Sequence, residues 1–483
     1  MKKLRTGIAT LFVSVASASA QTVNEDIKIT AFDAMSYASF GESLASDQGV
    51  LAVGAIGDDH GGAVSGSVYL YDSNPDSSTY GLILRKITTI DSEDGYFFGH
   101  SVTIGGGILA VGAIMEDEYQ GVVYLFDGDP SSSTFGTQLG KLSAADKSVE
   151  DIFFLDAFGC SIKIDERTVF IGAPNDDEVE INAGAVYVYD GDPDSPSFGI
   201  QLGKITASDG VARDHFGSSI AIHQGGLAVT ALGDDDRGEA SGSVYIIDGD
   251  LSSSTFGSQL GKLYADLATS GGSFGSAIAI HQGVLAVGAP NESINWFGSG
   301  SVYLFDVNPE SFTFGTLLRK IGASDGWINH AFGFSLSLEQ GFLVVGSPGD
   351  NVTHLQTGSL YIYDVDPASP EFGLEIGKVV ASDSEVNDTL GLSVSIARGV
   401  VAVGALFDEV NGLVDAGSVY ILDINCSQDV NRDFVLDFFD YSAFMKLFAE
   451  NDLTVDFDGN GELDFFDVDA FLQDFSAGCP IVH

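Results

Sequence analysis

Cations are scarce in this chain. Twenty Lys and Arg stand against 69 Asp and Glu, for a formal net charge of −49. Phosphate contacts need clustered Lys and Arg, so this balance argues against nucleic acid as a partner. It favours solubility and divalent cations instead. Methionine (4), tryptophan (2) and cysteine (3) are rare. No segment beyond the first twenty residues has the roughly 18 apolar residues that span a bilayer. There is no His-Glu-x-x-His pair, nucleophile elbow or phosphate loop, so no catalytic centre is legible. What the chain does have is 60 glycines and 45% hydrophobic residues, a composition of turns and strands around a packed core.

Residues 1–20 read as a signal peptide. Lys2, Lys3 and Arg5 precede an apolar stretch from Ile8 to Val15, and Ala18-Ser19-Ala20 matches a small-x-small cleavage site. Gln21 then opens the mature chain, which is exported, and no neighbouring cysteine can carry a lipid. An exported chain can keep a disulfide, and Cys426 and Cys479 bracket the last segment as a candidate pair. Cys160 stands alone, as a small buried strand residue rather than a reactive thiol.

A repeat governs the rest. Phe40-Gly41 recurs at Phe98, Phe158, Phe216, Phe274, Phe332 and Leu390, in steps of 58, 60, 58, 58, 58 and 58 residues. Each copy holds four short alternating segments rich in β-formers and bounded by Gly, Pro, Asp or Ser. Four-stranded units repeated radially are propeller blades. The expected fold is all-β: a seven-bladed β-propeller over residues 21–425, followed by a small α-helical module over 426–483. The seventh copy ends at Asp423 without a fourth strand. The matching Lys28-Ile29-Thr30 lies at the N-terminus, so the N-terminal strand is expected to complete blade seven and close the ring.

With Phe-Gly opening each unit and Val287-Gly288-Ala289-Pro290 or a variant closing the second strand, the copies resemble FG-GAP repeats, the blades of integrin α-subunit propellers and their bacterial relatives. Calcium-binding members of that family carry Asp-x-Asp-x-Asp-Gly between the first two strands. Here that place holds only turns such as Asp47-Gln48-Gly49 and His223-Gln224-Gly225, so the family's calcium sites do not carry over.

The alternation of strands sorts the loops onto two faces. The third-to-fourth loops are stereotyped, as in Asp127 to Gly136 and Asp190 to Gly199, which points to shared structure. The second-to-third loops and the links between blades vary, and variable loops on a rigid scaffold commonly carry function. Both tryptophans fall there: Trp296 in a blade-five loop and Trp327 in the link to blade six, with Phe297 and His330 nearby. Such rings either anchor a ligand or pack on neighbouring loops. The acidic runs Asp58-Asp59, Asp176-Asp177-Glu178 and Asp234-Asp235-Asp236 offer hard oxygens to cations but lack calcium-loop spacing. His223 and His281 hold equivalent turn positions in successive blades, a structural pattern.

The sharpest metal signal follows Cys426. Asp429, Asn431, Asp433, Asp437 and Asp440 occupy positions 1, 3, 5, 9 and 12 of a calcium loop, with Val435 at the carbonyl position 7. Asp456, Asp458, Asn460, Asp464 and Asp467 repeat the pattern, with Glu462 at position 7. Gly461 provides the sharp turn at position 6, where the first loop has Phe434. Each loop runs into a candidate helix, Phe438 to Phe448 and Phe465 to Phe475. Asp at position 12, the duplication and the terminal Gly478-Cys479-Pro480 resemble a dockerin-like module of secreted bacterial proteins. That resemblance implies bound Ca²⁺ and a cohesin-like or surface protein partner. Dockerins choose partners through positions 10 and 11, here Phe438-Phe439 and Phe465-Phe466, rings that can equally form the module's core.

The preferred reading is a secreted, non-catalytic binding or adhesion protein at or near the cell surface. Its propeller takes an extracellular protein or glycan, and its module takes calcium and a protein partner. The alternatives are a tethered polysaccharide-active enzyme and a structural surface-layer component.

Overall fold

The computed structural model describes residues 21–23, 25–60, 62–89, 95–146, 156–266, 271–293, 296–352, 354–424, 438–450, 455 and 463–477. Seven sheets form, one per repeat: six take four antiparallel strands in sequence order, and the seventh takes three of its four from its own repeat. Blade one runs Phe40–Asp47, Val50–Ala55, Ser67–Asp72 and Ile83–Ile87. The second and third strands are buried along their whole length, as their unbroken apolar runs require. Fourth strands are the outer edges and alternate only weakly. First strands touch their counterparts in both neighbouring blades, from blade one round to blade seven and back, so they form the inner ring around the axis.

Ring closure follows the expectation. Ile27–Ile29 pairs antiparallel with Ser418–Asp423 and supplies the fourth strand of blade seven. The register is the one other blades use: Lys28 lies opposite Tyr420 as Lys86 lies opposite Tyr69. One addition was not read from the sequence. Gln21–Val23 pairs in parallel with Glu375–Val379 as a fifth strand on blade six, so the N-terminal segment clasps two blades.

The repeat motif is a blade-to-blade joint. The Phe of each Phe-Gly is fully buried and meets the third-strand Tyr of its blade edge-on, at centroid separations of 5.2–5.6 Å. Gly41 sits at φ +100°, and a Cβ there would lie 3.1 Å from the Ser418 carbonyl of blade seven. Gly404, in the Val-Gly-Ala of blade seven, faces it: a Cβ on Gly404 would come within 2.6 Å of the Gly41 carbonyl. Glycine is required on both sides because two backbones meet there. A first-strand Ser donates to the Phe-Gly carbonyl of the next blade, as Ser43 to Gly99, Ser101 to Gly159 and, across the ring closure, Ser393 to Gly41 at 2.5 Å.

Helices span Phe438–Glu450 and Phe465–Ala477, as the sequence predicts. Phe444 and Phe471 stack at 4.2 Å, fully buried, and Val455 completes their small core. Cys426, Cys479 and the calcium-loop residues Asp429, Asn431, Asp433, Val435, Asp437, Asp456, Asp458, Asn460 and Glu462 lie outside the described residues. Only the backbones of Phe438, Phe439 and Asp440 are described, as the start of the first helix.

Candidate functional site

Each blade carries a charged lock on the variable face. The Lys of the fourth-strand Lys-Ile or Lys-Leu, Lys378-Val379 in blade six, faces the third-strand Tyr across the sheet, and its ammonium lies 4.4–5.1 Å from the ring centroid. In blade one, Lys86 Nζ donates to Asp58 of the second-to-third loop at 2.8 Å and to Asp33 of the incoming link at 2.7 Å. The Tyr69 hydroxyl donates to the same two carboxylates at 2.6 and 2.7 Å. Blade six repeats this with Lys378, Tyr361, Asp350 and Asp325. Blade seven uses Lys28 from the N-terminus, 2.6 Å from Asp383 and 2.7 Å from Asp408, so the last lock also closes the ring. Burial by itself would raise the Asp350 carboxyl; the Lys378 ammonium and the Ser359 and Tyr361 hydroxyls outweigh it and hold the group below its usual range. Asp58 and Asp383 behave alike, held down by Lys86 and Lys28 against their burial.

This arrangement revises the acidic runs. Asp58, Asp176 and Asp234 are buried and paired with Lys86, Lys204 and Lys262. Asp59 and Asp177 accept backbone N–H groups of their own loops, from Val64 and Asn182. A lysine ammonium already stands where a cation would sit. Among the described residues the one metal-like grouping is Asp33, Asp58 and His60, and it is this same lock. Sequence reasoning read the Lys-Ile pairs as strand markers and missed their charge. The signal was present: Lys on the fourth strand and Tyr on the third recur in all seven copies.

The tryptophans come together. Trp296 and Trp327, from adjacent connections, have ring centroids 4.1 Å apart at a tilt of 40°. They pack on each other, yet remain 42% and 49% exposed, beside Phe297 at 75% and Ile328 at 41%. The platform is held from below. The Trp327 N–H donates to Nδ1 of buried His330 at 3.2 Å, and the Asn329 N–H donates to the Phe297 carbonyl at 2.9 Å. The two connections therefore form one aromatic surface on a fixed base.

His223 and His281 end neighbouring first strands with rings 4.4 Å apart. Burial, and then the neighbouring His223, lowers His281 to about 4. Both stay neutral near pH 7, which fits a structural pair. Cys160 lies in the bend just before its strand, Ser161–Asp165, rather than within it, and burial raises its thiol.

In the C-terminal segment, Asp464 and Asp467 build a capping box on the second helix. The Asp464 carboxylate accepts the Phe466 N–H at 2.7 Å, and the fully buried Asp467 carboxylate accepts the Asp464 N–H at 2.7 Å. Two carboxylates thus converge at a helix N-terminus, an arrangement that fits positions 9 and 12 of a calcium loop. Phe465 and Phe466 are 74% and 64% exposed, so they do not form the module's core.

Fold and repeat define a seven-bladed propeller of Phe-Gly-type blades. The FG-GAP repeat family matches residues 23–71, 84–126, 137–189, 200–247, 258–305, 316–363 and 374–422, and the chain belongs to that family. Each matched unit ends with the third strand of a blade, and each after the first begins at the fourth strand of the blade before. The family unit is therefore offset from the blade by one strand, the same offset that lets Ile27–Ile29 close the ring. No curated protein matches the chain. Among the described residues no helix is long and apolar enough to cross a membrane.

Proposed function

We propose that the protein is an exported, non-catalytic binding protein. Its propeller takes an extracellular glycan or protein on the variable face, and its C-terminal module binds Ca²⁺ and a protein partner. The observation that carries the binding face is the Trp296–Trp327 platform: two half-exposed indoles packed on each other, the Trp327 backbone held by His330, on a face whose lysines are committed to locks. Exposed indoles on a rigid base lose little entropy on binding and offer large apolar area. The surrounding acidity disfavours anionic ligands, so neutral sugars or basic protein surfaces fit best. In the module, Asp464 and Asp467, with the other oxygen donors of the two loops, would hold calcium and tie each loop to its helix.

A glycan and protein array screened with wild type and the Trp296→Ala/Trp327→Ala double variant tests the face. Binding should fall with the fold intact, since neither residue lies in a strand. A ligand held equally well by both removes this assignment. Calcium titration calorimetry on the full chain tests the module: two binding events are expected, one of them lost in Asp467→Ala. No heat of binding in the wild type ends the calcium reading.

A further inference from the structure

The stereotyped face is built from the first-to-second turns and the third-to-fourth loops, and two of its positions break the repeat. Glycine ends the turn in six blades, as Gly49, Gly107, Gly225, Gly283, Gly341 and Gly399, but blade three has Arg167. Proline takes the fourth place of the loop in five blades, as Pro75, Pro130, Pro193, Pro309 and Pro367, but blade four has Leu251. Both departures line the same open groove, of about 690 Å³. What the blades share reports common structure. Two exceptions that meet in one groove point to a task of that groove alone.

The turn that carries Arg167 keeps the ordinary register: Asp165 lies opposite Thr168 as Asp47 lies opposite Val50. The guanidinium is anchored on the loop of its own blade. Nη1 donates to Asp192 and lies 3.4 Å from the Asp194 carboxylate. Nη2 and Nε donate to nothing among the described residues. Asp190 is committed to its own loop, accepting the Asp192 N–H and the Ser195 and Ser197 hydroxyls. The Glu166 carboxylate and the Thr168 hydroxyl, on either side of Arg167 in sequence, also line the groove and have no hydrogen-bond partner among the described residues. Leu202 and Leu251, 42% and 41% exposed, add an apolar wall.

The groove thus offers an anchored donor fork, an acceptor, a hydroxyl and an apolar surface. An anionic ligand would meet Glu166, Asp190 and Asp192 along with Arg167. A cationic one would meet the guanidinium. A ligand with uncharged hydroxyls, which both donate and accept, and with an apolar face satisfies every group. We propose that this groove is a further binding site, for a neutral saccharide of about two rings, the size its volume admits. Arg167 donates to the sugar hydroxyls, Glu166 accepts from them, and Leu202 and Leu251 cover the C–H face. The site lies on the opposite face from Trp296 and Trp327 and is independent of them.

Saturation-transfer NMR on the full chain carrying Trp296→Ala/Trp327→Ala isolates the groove, with maltose, cellobiose, lactose and xylobiose as probes and glucuronate as the anionic control. At least one disaccharide should bind, and more tightly than glucuronate. Arg167→Gly/Leu251→Pro, added to that chain, restores the residues of the other blades. It should keep the melting temperature and weaken the sugar about tenfold or more, the worth of a lost charged hydrogen bond. The proposal is overturned if none of the four disaccharides binds, if glucuronate binds best, or if the restored chain keeps the affinity. Should either double variant fail to fold, Arg167→Ala in the otherwise wild-type chain decides: a sugar affinity that it leaves unchanged overturns the site.

Discussion

The two faces of the propeller use aspartate in opposite ways. On the stereotyped face, Asp72 accepts the Asn74 N–H and the Ser77 and Thr79 hydroxyls, all within seven residues. Asp127, Asp190, Asp248 and Asp306 do the same in their loops. On the variable face, Asp58 accepts from Tyr69 and Lys86, and Asp33 joins from the link before the blade. The first pattern is local, built on uncharged donors and confined to one loop. The second is charged, spans up to 380 residues in the Lys28–Asp408 pair, and ties loop, link and edge strand together. The same residue type shapes a turn on one face and holds the blades on the other.

Removing residues 22–32 should break the comparison most severely. It deletes the fourth strand of blade seven, the parallel strand on blade six and the cation of the last lock. The expected outcome is an aggregating chain without a cooperative melt; retained solubility and an unchanged melting temperature would refute the closure.

Lys378→Met should cost about 3–5 kcal/mol, because it leaves the buried Asp350 carboxylate without its cation. Chemical denaturation measures it. A loss under about 1 kcal/mol would mean that the locks are surface pairs of little weight.

A pH titration of stability sharpens the contrast. The lock carboxylates Asp33, Asp58, Asp350 and Asp383 lie below their ordinary range, so their stabilisation is fully present above about pH 4 and is lost as pH falls through the lowered folded values. Asp156 is the reverse case. Burial and then the neighbouring Asp176 and Asp177 raise it to about 7, so the stability it contributes is full below the ordinary carboxylate range and is lost as pH rises through about 7. Asp156→Asn should therefore stabilise the protein by about 2–3 kcal/mol more at pH 8 than at pH 5. Equal effects at both pH values would show that the carboxyl is not perturbed.

The smallest effect belongs to the stereotyped face. Ser77→Ala removes one of several donors to Asp72 and should cost about 0.5–1 kcal/mol, with no change in ligand binding. A loss as large as that of Lys378→Met would erase the distinction between the faces.

Most of the architecture was legible because it is encoded by spacing. Phe-Gly at 58-residue steps, Val-Gly-Ala and Lys-Ile each mark a fixed place in a blade, and the misplaced Lys28-Ile29 gave the closure. The Asp-to-Ser-and-Thr turns were legible for the same reason: their partners lie within seven residues. The locks were not, since each joins residues about 10 to 380 positions apart, and a charge read alone looks like a solvated surface.

The sequence by itself thus determined the strands, their number per blade, the seven-fold count and the fourth strand that comes from the other end of the chain. These follow from local propensity and from a period that no other fold satisfies. Tertiary structure alone decided which acids are buried against lysine, that Trp296 and Trp327 share one platform, and that Gln21–Val23 reaches blade six. The reason is physical. Burial and ion pairing depend on distances between residues remote in sequence, and closing the ring sets all of those distances at once.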